Sequence, residues 1–417
     1  MADRLDLPLL VYEILSASEP FANDRRHIFV LEGVRETAKR LRELGIGYVF
    51  DLRREKAAGD RLPREAVRDA AAVVTDDYPA LLQGRDESFD AAAWAVDSSC
   101  VVPAALIGQR AYAAYSIRPH IHELLPRFLK PAPAIAVRNR FAGPLPPLPE
   151  GTAAELAAAC EIDHSPGSST AFRGGRAEAL RHLDRFLADR LRRYAREKNE
   201  PAAHATSELS PYLHFGYISA LEVALAVRER AREDRLIADE FLEELIVRRE
   251  LAFNFVRFAR ALDTLDELPE WAHATLRKHR GDVRDPLYSP EEFEAAQTGD
   301  ELWNAAQKEL LLRGKIHGYY RMYWGKKIIE WSKTPEEALA TMLRLHDRYA
   351  LDGRDPNTYA NILWCFGLHD RPWAERAIFG TVRWMSKAGM DRKTDASAYI
   401  REIGELERTG KETDTDT

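Results

Sequence analysis

Cysteine is scarce in this 417-residue chain: Cys100, Cys160 and Cys365 stand far apart. They have neither the density of a disulfide scaffold nor the paired spacing of a zinc or iron–sulfur site, so no metal is implied. Apolar runs of membrane-spanning length are missing, and charged residues follow Met1 at once. Secretion and membrane insertion are therefore not expected, and a cytoplasmic location follows by default. No glycine-rich fingerprint opens the first strand–helix unit, which weakens any dinucleotide reading there. Internal repeats and coiled-coil heptads are also lacking.

What is present is unevenly placed. Seven of the eight tryptophans fall between Trp271 and Trp384, mostly in polar-flanked stretches with helical spacing. Indoles can fill a core, stack on flat ligands, or relay electrons, so their division decides the function. The formal net charge is −7, which disfavours indiscriminate coating of nucleic acid but leaves room for a local basic face. Trp303 to Lys333 carries seven Lys or Arg against two Glu, and Arg371 to Lys393 carries six basic against two acidic residues. Either run could equally be a solvated helix face.

The N-terminal part reads as strands alternating with helices: a strand over Leu9–Leu15, a helix over Ile28–Leu44, and a strand running through Phe50. A helix over Leu62–Ala70 and a strand over Ala71–Thr75 follow. This pattern predicts an α/β domain with a Rossmann-like parallel sheet over residues 1–130. Pro131, Pro133 and the run from Pro144 to Pro149 predict a stiff connector, placed at 131–175. From 176 to 405 the apolar spacing is almost wholly helical, which predicts an all-helical second domain.

Five segments stand out within it. Leu209-Ser-Pro-Tyr-Leu-His-Phe-Gly216, with Ser207 nearby, is a turn into a helix that could hold a phosphate on free amides and hydroxyls, or could simply be a cap. Glu243-Glu-Leu-Ile-Val-Arg-Arg-Glu250 places three carboxylates and two guanidiniums on one helix. Trp303-Asn-Ala-Ala-Gln307 precedes Gly314 and then His317-Gly-Tyr-Tyr-Arg-Met-Tyr-Trp324. Asp352-Gly-Arg-Asp-Pro-Asn357 is a tight turn rich in hydroxyl-binding groups. Phe379-Gly-Thr-Val-Arg-Trp384 completes the set.

In this order and spacing the segments resemble the class II cyclobutane pyrimidine dimer photolyases of the photolyase/cryptochrome family, densely over residues 160 to 402 and loosely before. The resemblance implies an N-terminal α/β domain followed by an all-helical FAD-binding domain. It implies light-driven repair, in which excited reduced FAD passes an electron to a cyclobutane dimer flipped out of duplex DNA. It further implies that Tyr194, Ser207, Leu209 and Ser210 line the FAD phosphates and ribityl chain. Arg321 would pair with Asp352 beside the flavin ring, with Arg354 and Asn357 in the same wall. Asn304, Gln307 and His317 join the cofactor set.

For catalysis the resemblance points to Glu244 as the carboxyl that bonds the dimer base, which would need a pKa raised by desolvation. Trp324, Trp303 and Trp331 resemble a photoreduction relay. Trp364 resembles the surface that packs against the flipped dimer, although a core indole beside Phe366 is the plainer alternative. Met322 could touch the lesion pocket or be an ordinary core methionine. Trp373 and Trp384 read as packing and scaffold on the DNA side, and Trp94 and Trp271 carry no special claim. Arg376, Arg383, Lys387, Arg392 and Lys393 are the candidates for phosphate contact, with Arg248 and Arg249 as further members.

Three departures from the family pattern are visible. The first strand unit is missing ahead of Leu9–Leu15, which leaves the family's deazaflavin antenna open as a second chromophore. Lys198-Asn-Glu-Pro201 stands for Arg-Asn-Asp-Pro. His346 stands where the family carries an asparagine associated with the flavin N5 edge; histidine titrates near neutral pH, so altered stability of reduced flavin is expected. The principal reading is a monomeric DNA-repair photolyase. The rivals are a photolyase-like blue-light sensor that splits no lesion and a helical nucleic-acid-binding module without cofactor.

Overall fold

The computed structural model describes residues 2–59, 61–82, 91–133 and 137–410. Among the described residues four strands form two parallel pairs. In one, β1 (Leu10–Ser16) runs beside β2 (Gly47–Arg53), in register from Leu10 opposite Gly47 to Ser16 opposite Arg53. In the other, β3 (Ala72–Asp76) runs beside β4 (Ala92–Val96). Among the described residues no strand joins the pairs, so the predicted parallel sheet is present but split. β4 was not foreseen from the sequence. Its residues are exposed throughout, Trp94 included, so it lacks the buried alternation that reveals a strand.

The crossover between β1 and β2 is the helix Asp24–Leu44, four residues longer at its start than the spacing suggested. The Asn23 side chain accepts from Arg26 N at its head, and Gly45 closes it in the left-handed region at φ 78°. The expected helix over 62–70 is only one turn, Arg64–Val67. The helix Ala114–Phe128 escaped the sequence pattern because Pro119 and Pro126 lie inside it. Within 131–175, the helix Ala153–Ala158 buries Leu156 and Ala157 in one core with Leu31, Val34 and Ala38.

A run of longer helices starts at Arg176, and Ile117 and Ile121 of the earlier helix Ala114–Phe128 share one core with Phe186, Tyr194 and Phe241. The first helix of this run, 176–197, carries a π turn at Phe186–Arg190. A second, 239–258, carries one at Glu243–Arg248; such turns re-aim side chains by inserting one residue into the helical ladder. The main core is built from Glu301–Arg313, Gly318–Trp331, Pro335–Tyr349 and Pro356–Trp364. Ala396–Thr409 was not read from the sequence and packs Tyr399, Ile403 and Leu406 into that same core.

The two parts are joined by buried polar contacts along the helix 239–258. Glu250 accepts from Val101 N and Val102 N at 2.7 and 3.1 Å, and Asn254 accepts from Ala111 N at 2.7 Å. Tyr78 reaches from the segment after β3 to Asp355 at 2.8 Å.

Candidate active site

The chain turns sharply between the helices Pro335–Tyr349 and Pro356–Trp364, and this turn carries Asp352. The preceding helix is capped by Thr334 and opens on Pro335; the following one is capped by Asp355 and opens on Pro356. From the helix Gly318–Trp331, Arg321 reaches across to Asp352 at 3.4 Å. Burial alone would push the Asp352 carboxyl up, but the Arg321 guanidinium beside it holds it at about 2. His346 is 1 % exposed, with Nε2 3.9 Å from the other Asp352 oxygen and Nδ1 3.4 Å from Thr358 Oγ1. Burial, reinforced by Arg321, pushes His346 down to about 3. It is therefore neutral at physiological pH, which corrects the expectation of a histidine titrating near neutrality.

Around this pair His317 Nε2, Arg321 Nε and His346 Nε2 are buried with no hydrogen-bond partner among the described residues, and the Ser210 hydroxyl stands against the Asp352 carboxylate. Orphaned buried groups of this kind cost about 1–3 kcal/mol each, so their gathering beside one ion pair suits a site that a ligand completes. Together with Ser210 and Asp352 they mix ring nitrogens, a guanidinium, a hydroxyl and a carboxylate oxygen. That set fits a flat heteroaromatic ring bearing hydroxyls and phosphates, and it therefore fits FAD. Lys315 is a member the sequence reading missed. Burial lowers its pKa while Glu208 and Asp352 pull it up, and its Nζ lies 5.8 Å from the centre of the Phe172 ring. The signal was present in Gly314-Lys315-Ile316-His317, where a cation follows a left-handed glycine at φ 77°.

The remaining cofactor candidates divide. Leu209, 1 % exposed, is the N-cap of the short helix Ser210–His214. Ser207 is half-buried beside it, and Tyr194 is buried against Phe186 and Phe241. Asn357 donates to Asp355 through both its amide and its side chain. Three others turn elsewhere. Arg354 points to the N-terminal part, donating to Glu19 at 3.2 Å and to Pro20 O. Asn304 spends its amide on Thr298. Gln307 is fully buried between Trp324 Nε1 and Glu294 O.

The tryptophans separate as well. Trp303 donates Nε1 to Trp324 O at 3.0 Å, and its ring lies 6.2 Å edge-on from Trp331. Tyr288, not singled out in the sequence, stands edge-on to Trp331 at 5.4 Å. Trp303 thus links the other two, by ring contact to Trp331 and by a backbone bond to Trp324 on the Arg321 helix, and all three indoles are buried. Trp364 and Met322 are half-buried. Trp373, read as packing and scaffold on the DNA side, is 40 % exposed, with the guanidiniums of Arg371 and Arg383 at 4.8 and 5.2 Å from its ring. Trp271 is half-buried and packs against the main core. Arg376 lies over Trp384 at 3.4 Å.

The segment 371–384 is held by close backbone approach. Gly380 sits at φ 53°, where an added Cβ would come 1.9 Å from Thr275 Oγ1. Beyond it, Lys387 pairs with Asp391 at 3.2 Å, and Arg392 and Lys393 are exposed. Arg248 is exposed and 3.4 Å from Glu243. Arg249 is not on this surface: it is buried, donates to Ser99 O at 2.5 Å and covers Phe253 at 4.5 Å. Glu244 is about half-exposed and pairs with Lys198 at 3.2 Å, not with Arg248. The desolvation its proposed role requires is not supplied by these surroundings; a bound base would have to bring it.

The α/β unit followed by a helical bundle with a buried polar cluster is the photolyase/cryptochrome fold. No family model matches the chain. It is 41% identical over 410 residues to the deoxyribodipyrimidine photo-lyase of Methanothermobacter thermautotrophicus, covering 96% of this chain and 89% of that one. Two solved structures share the fold. A cryptochrome from Synechocystis matches with TM-score 0.71 at 17% identity, over 97% of this chain and 85% of that one. An archaeal photolyase from Sulfolobus tokodaii with two FAD molecules matches with TM-score 0.62 at 17% identity, over 97% and 85%. The chain belongs to the deoxyribodipyrimidine photo-lyases, enzymes that use light to repair pyrimidine dimers in DNA. No helix among the described residues is long and apolar enough to cross a membrane.

Proposed function

We propose that this chain is a class II cyclobutane pyrimidine dimer photolyase that binds FAD in the cluster around Arg321 and Asp352 and acts as a cytoplasmic monomer on duplex DNA. The observation that carries the reading is the set of orphaned buried atoms gathered around that ion pair. When bound, FAD supplies the light absorption and the electron. Arg321 pairs with Asp352, and Lys315 is drawn by both Glu208 and Asp352, so two cations stand ready beside a ring that carries negative charge. Neutral His346 adds one ring nitrogen as donor or acceptor without adding charge. Ser207, Leu209 and Ser210 would hold the phosphates at the head of the short helix, and Tyr194 would close the same wall.

Substrate would meet the protein on the half-buried Trp364 and Met322 and on the basic, indole-bearing segment with Arg376 and Arg383. Lys387, Arg392 and Lys393 would extend this face along the phosphates, and exposed Arg248 would flank it. Extruding a damaged pair costs less than extruding an intact one, so selection rests on shape and deformability. Glu244 would bond the extruded base and lose its solvent exposure as the base arrives. The path Trp324–Trp303–Trp331 would return electrons to keep the cofactor reduced. A deazaflavin antenna remains a second proposal, to be read from the absorption of the purified holoprotein.

The deciding experiment illuminates the reduced, flavin-loaded protein with dimer-containing DNA and follows the regain of thymine absorbance. No regain at full flavin reduction overturns the reading.

A further inference from the structure

Beneath the proposed substrate face lies a lysine that the mechanism above does not use. Lys326, on the helix Gly318–Trp331, is 4 % exposed, and its Nζ donates to Cys365 O at 2.5 Å. Cys365 is the C-cap of the helix that ends in Trp364. A cation at this point serves a carbonyl left free by the helix end and complements the negative end of its dipole. The two helices touch closely here: a Cβ on Gly325 would come 2.8 Å from Cys365 Sγ. The turn that Lys326 holds leads directly to Asp370, whose oxygens accept from Trp373 Nε1 at 3.3 Å. Arg383, whose guanidinium lies 5.2 Å from the centre of that indole, is also close enough to act on the lysine.

A single buried ammonium therefore lies under the turn that connects Trp364 to Trp373. We propose that Lys326 is a positioning residue for dimer recognition: its charge sets the turn 365–370 and thereby the relative placement of the two indoles. The inference rests on the reading of Trp364 and Trp373 as part of the substrate face.

The groups facing Lys326 define how it behaves with pH. Burial lowers its pKa to about 8, with Cys365 and Asp370 pulling upward and Arg383 pushing down. The Cys365 thiol is itself raised by burial and stays neutral. On its own helix, Lys327 and Glu330 pair with each other at 2.7 Å. As pH rises through about 8 the charge is lost while the unfolded chain still holds its proton up to about 10.4. The unfolded state then binds more protons, so fold stability rises with pH across this window. Dimer affinity falls over the same window, and the opposite signs separate positioning from simple stabilisation.

The test measures anisotropy of a labelled duplex with and without a thymine dimer, using flavin-loaded wild type, Lys326→Met and Lys326→Arg. Lys326→Met is expected to lose about fivefold in dimer affinity, equivalent to about 1 kcal/mol, with undamaged-duplex affinity within about twofold. Lys326→Arg, whose guanidinium does not titrate, is expected to restore binding and to flatten the alkaline loss seen in wild type. Equal dimer affinity in Lys326→Met, or the same alkaline loss in Lys326→Arg, overturns the proposal. Should Lys326→Met fail to fold, the comparison of wild type with Lys326→Arg decides. If wild type shows no preference for the dimer duplex, the substrate-face reading itself fails, an outcome distinct from failure of Lys326 alone.

Discussion

Trp303 donates its indole N–H to the backbone oxygen of Trp324 at 3.0 Å, while Trp324 donates its own to Gln307 Oε1 at 2.9 Å. Gln307 and Trp303 lie one turn apart on the same helix, so the two helices are stitched in both directions by buried bonds. This locks the spacing of the indoles that the proposed electron path needs. It also explains Gln307, which holds a tryptophan in place.

Replacing Trp324 tests both roles. Trp324→Phe keeps most of the packing but leaves Gln307 Oε1 buried and unsatisfied, which should cost about 1–3 kcal/mol in urea unfolding. Photoreduction of the bound flavin should fall at least about tenfold, while dimer repair by chemically reduced protein should persist. Unchanged photoreduction would remove Trp324 from the path.

Asp352→Asn leaves the largely buried Arg321 guanidinium, 16 % exposed, without its counter-charge. Loss of about 3 kcal/mol is expected from such a break. The purified variant should carry much less flavin, read as the ratio of blue to protein absorbance. Asp352 is held at about 2 against an ordinary 3.8, so its contribution is complete above about 4 and is lost as pH falls through about 2. Full flavin occupancy in Asp352→Asn would argue that the cofactor sits elsewhere.

His346→Asn exchanges one neutral group for another, because burial and Arg321 keep the histidine uncharged above about 3. Spectroelectrochemistry should show a shifted flavin midpoint whose size stays constant from about pH 5 to about pH 9. A shift that changes across neutrality would mean that His346 does titrate there. Identical midpoints in the two proteins would place it outside the flavin's reach.

Glu250 governs the joint between the two parts. Burial pushes its carboxyl up to about 8, only partly opposed by the amides of Val102 and Val101. With the folded pKa raised, the native state holds an extra proton between about 4.5 and about 8, and stability falls as pH rises through that range. The slope is at most about 1.4 kcal/mol per pH unit. Glu250→Gln keeps an oxygen for the two amides and should flatten the slope in denaturation at about pH 5 and about pH 7. An unaltered slope would reject this account.

The longer helices of the helical part up to Tyr349 were legible in the sequence because they bury one face and carry caps such as Thr334 and Gly314. Glu270–Lys278, Pro356–Trp364 and Ala396–Thr409 were not read. The same logic made the Asp352 turn and the indole-bearing helices visible as segments. It could not find β4, whose exposed residues lack alternation, or the helix 114–128, whose prolines contradict local propensity.

The sequence by itself determined the order of elements, the family resemblance and the residue types available to the site, since periodicity, capping and motif spacing are local properties of the chain. Only the tertiary structure decided which side chains meet. It turned Arg354 toward Glu19, buried Arg249 beneath the surface, exposed Trp373 beside two arginines and made His346 neutral. Each outcome depends on burial and on charges brought close by distant segments, and neither can be read from neighbours along the chain.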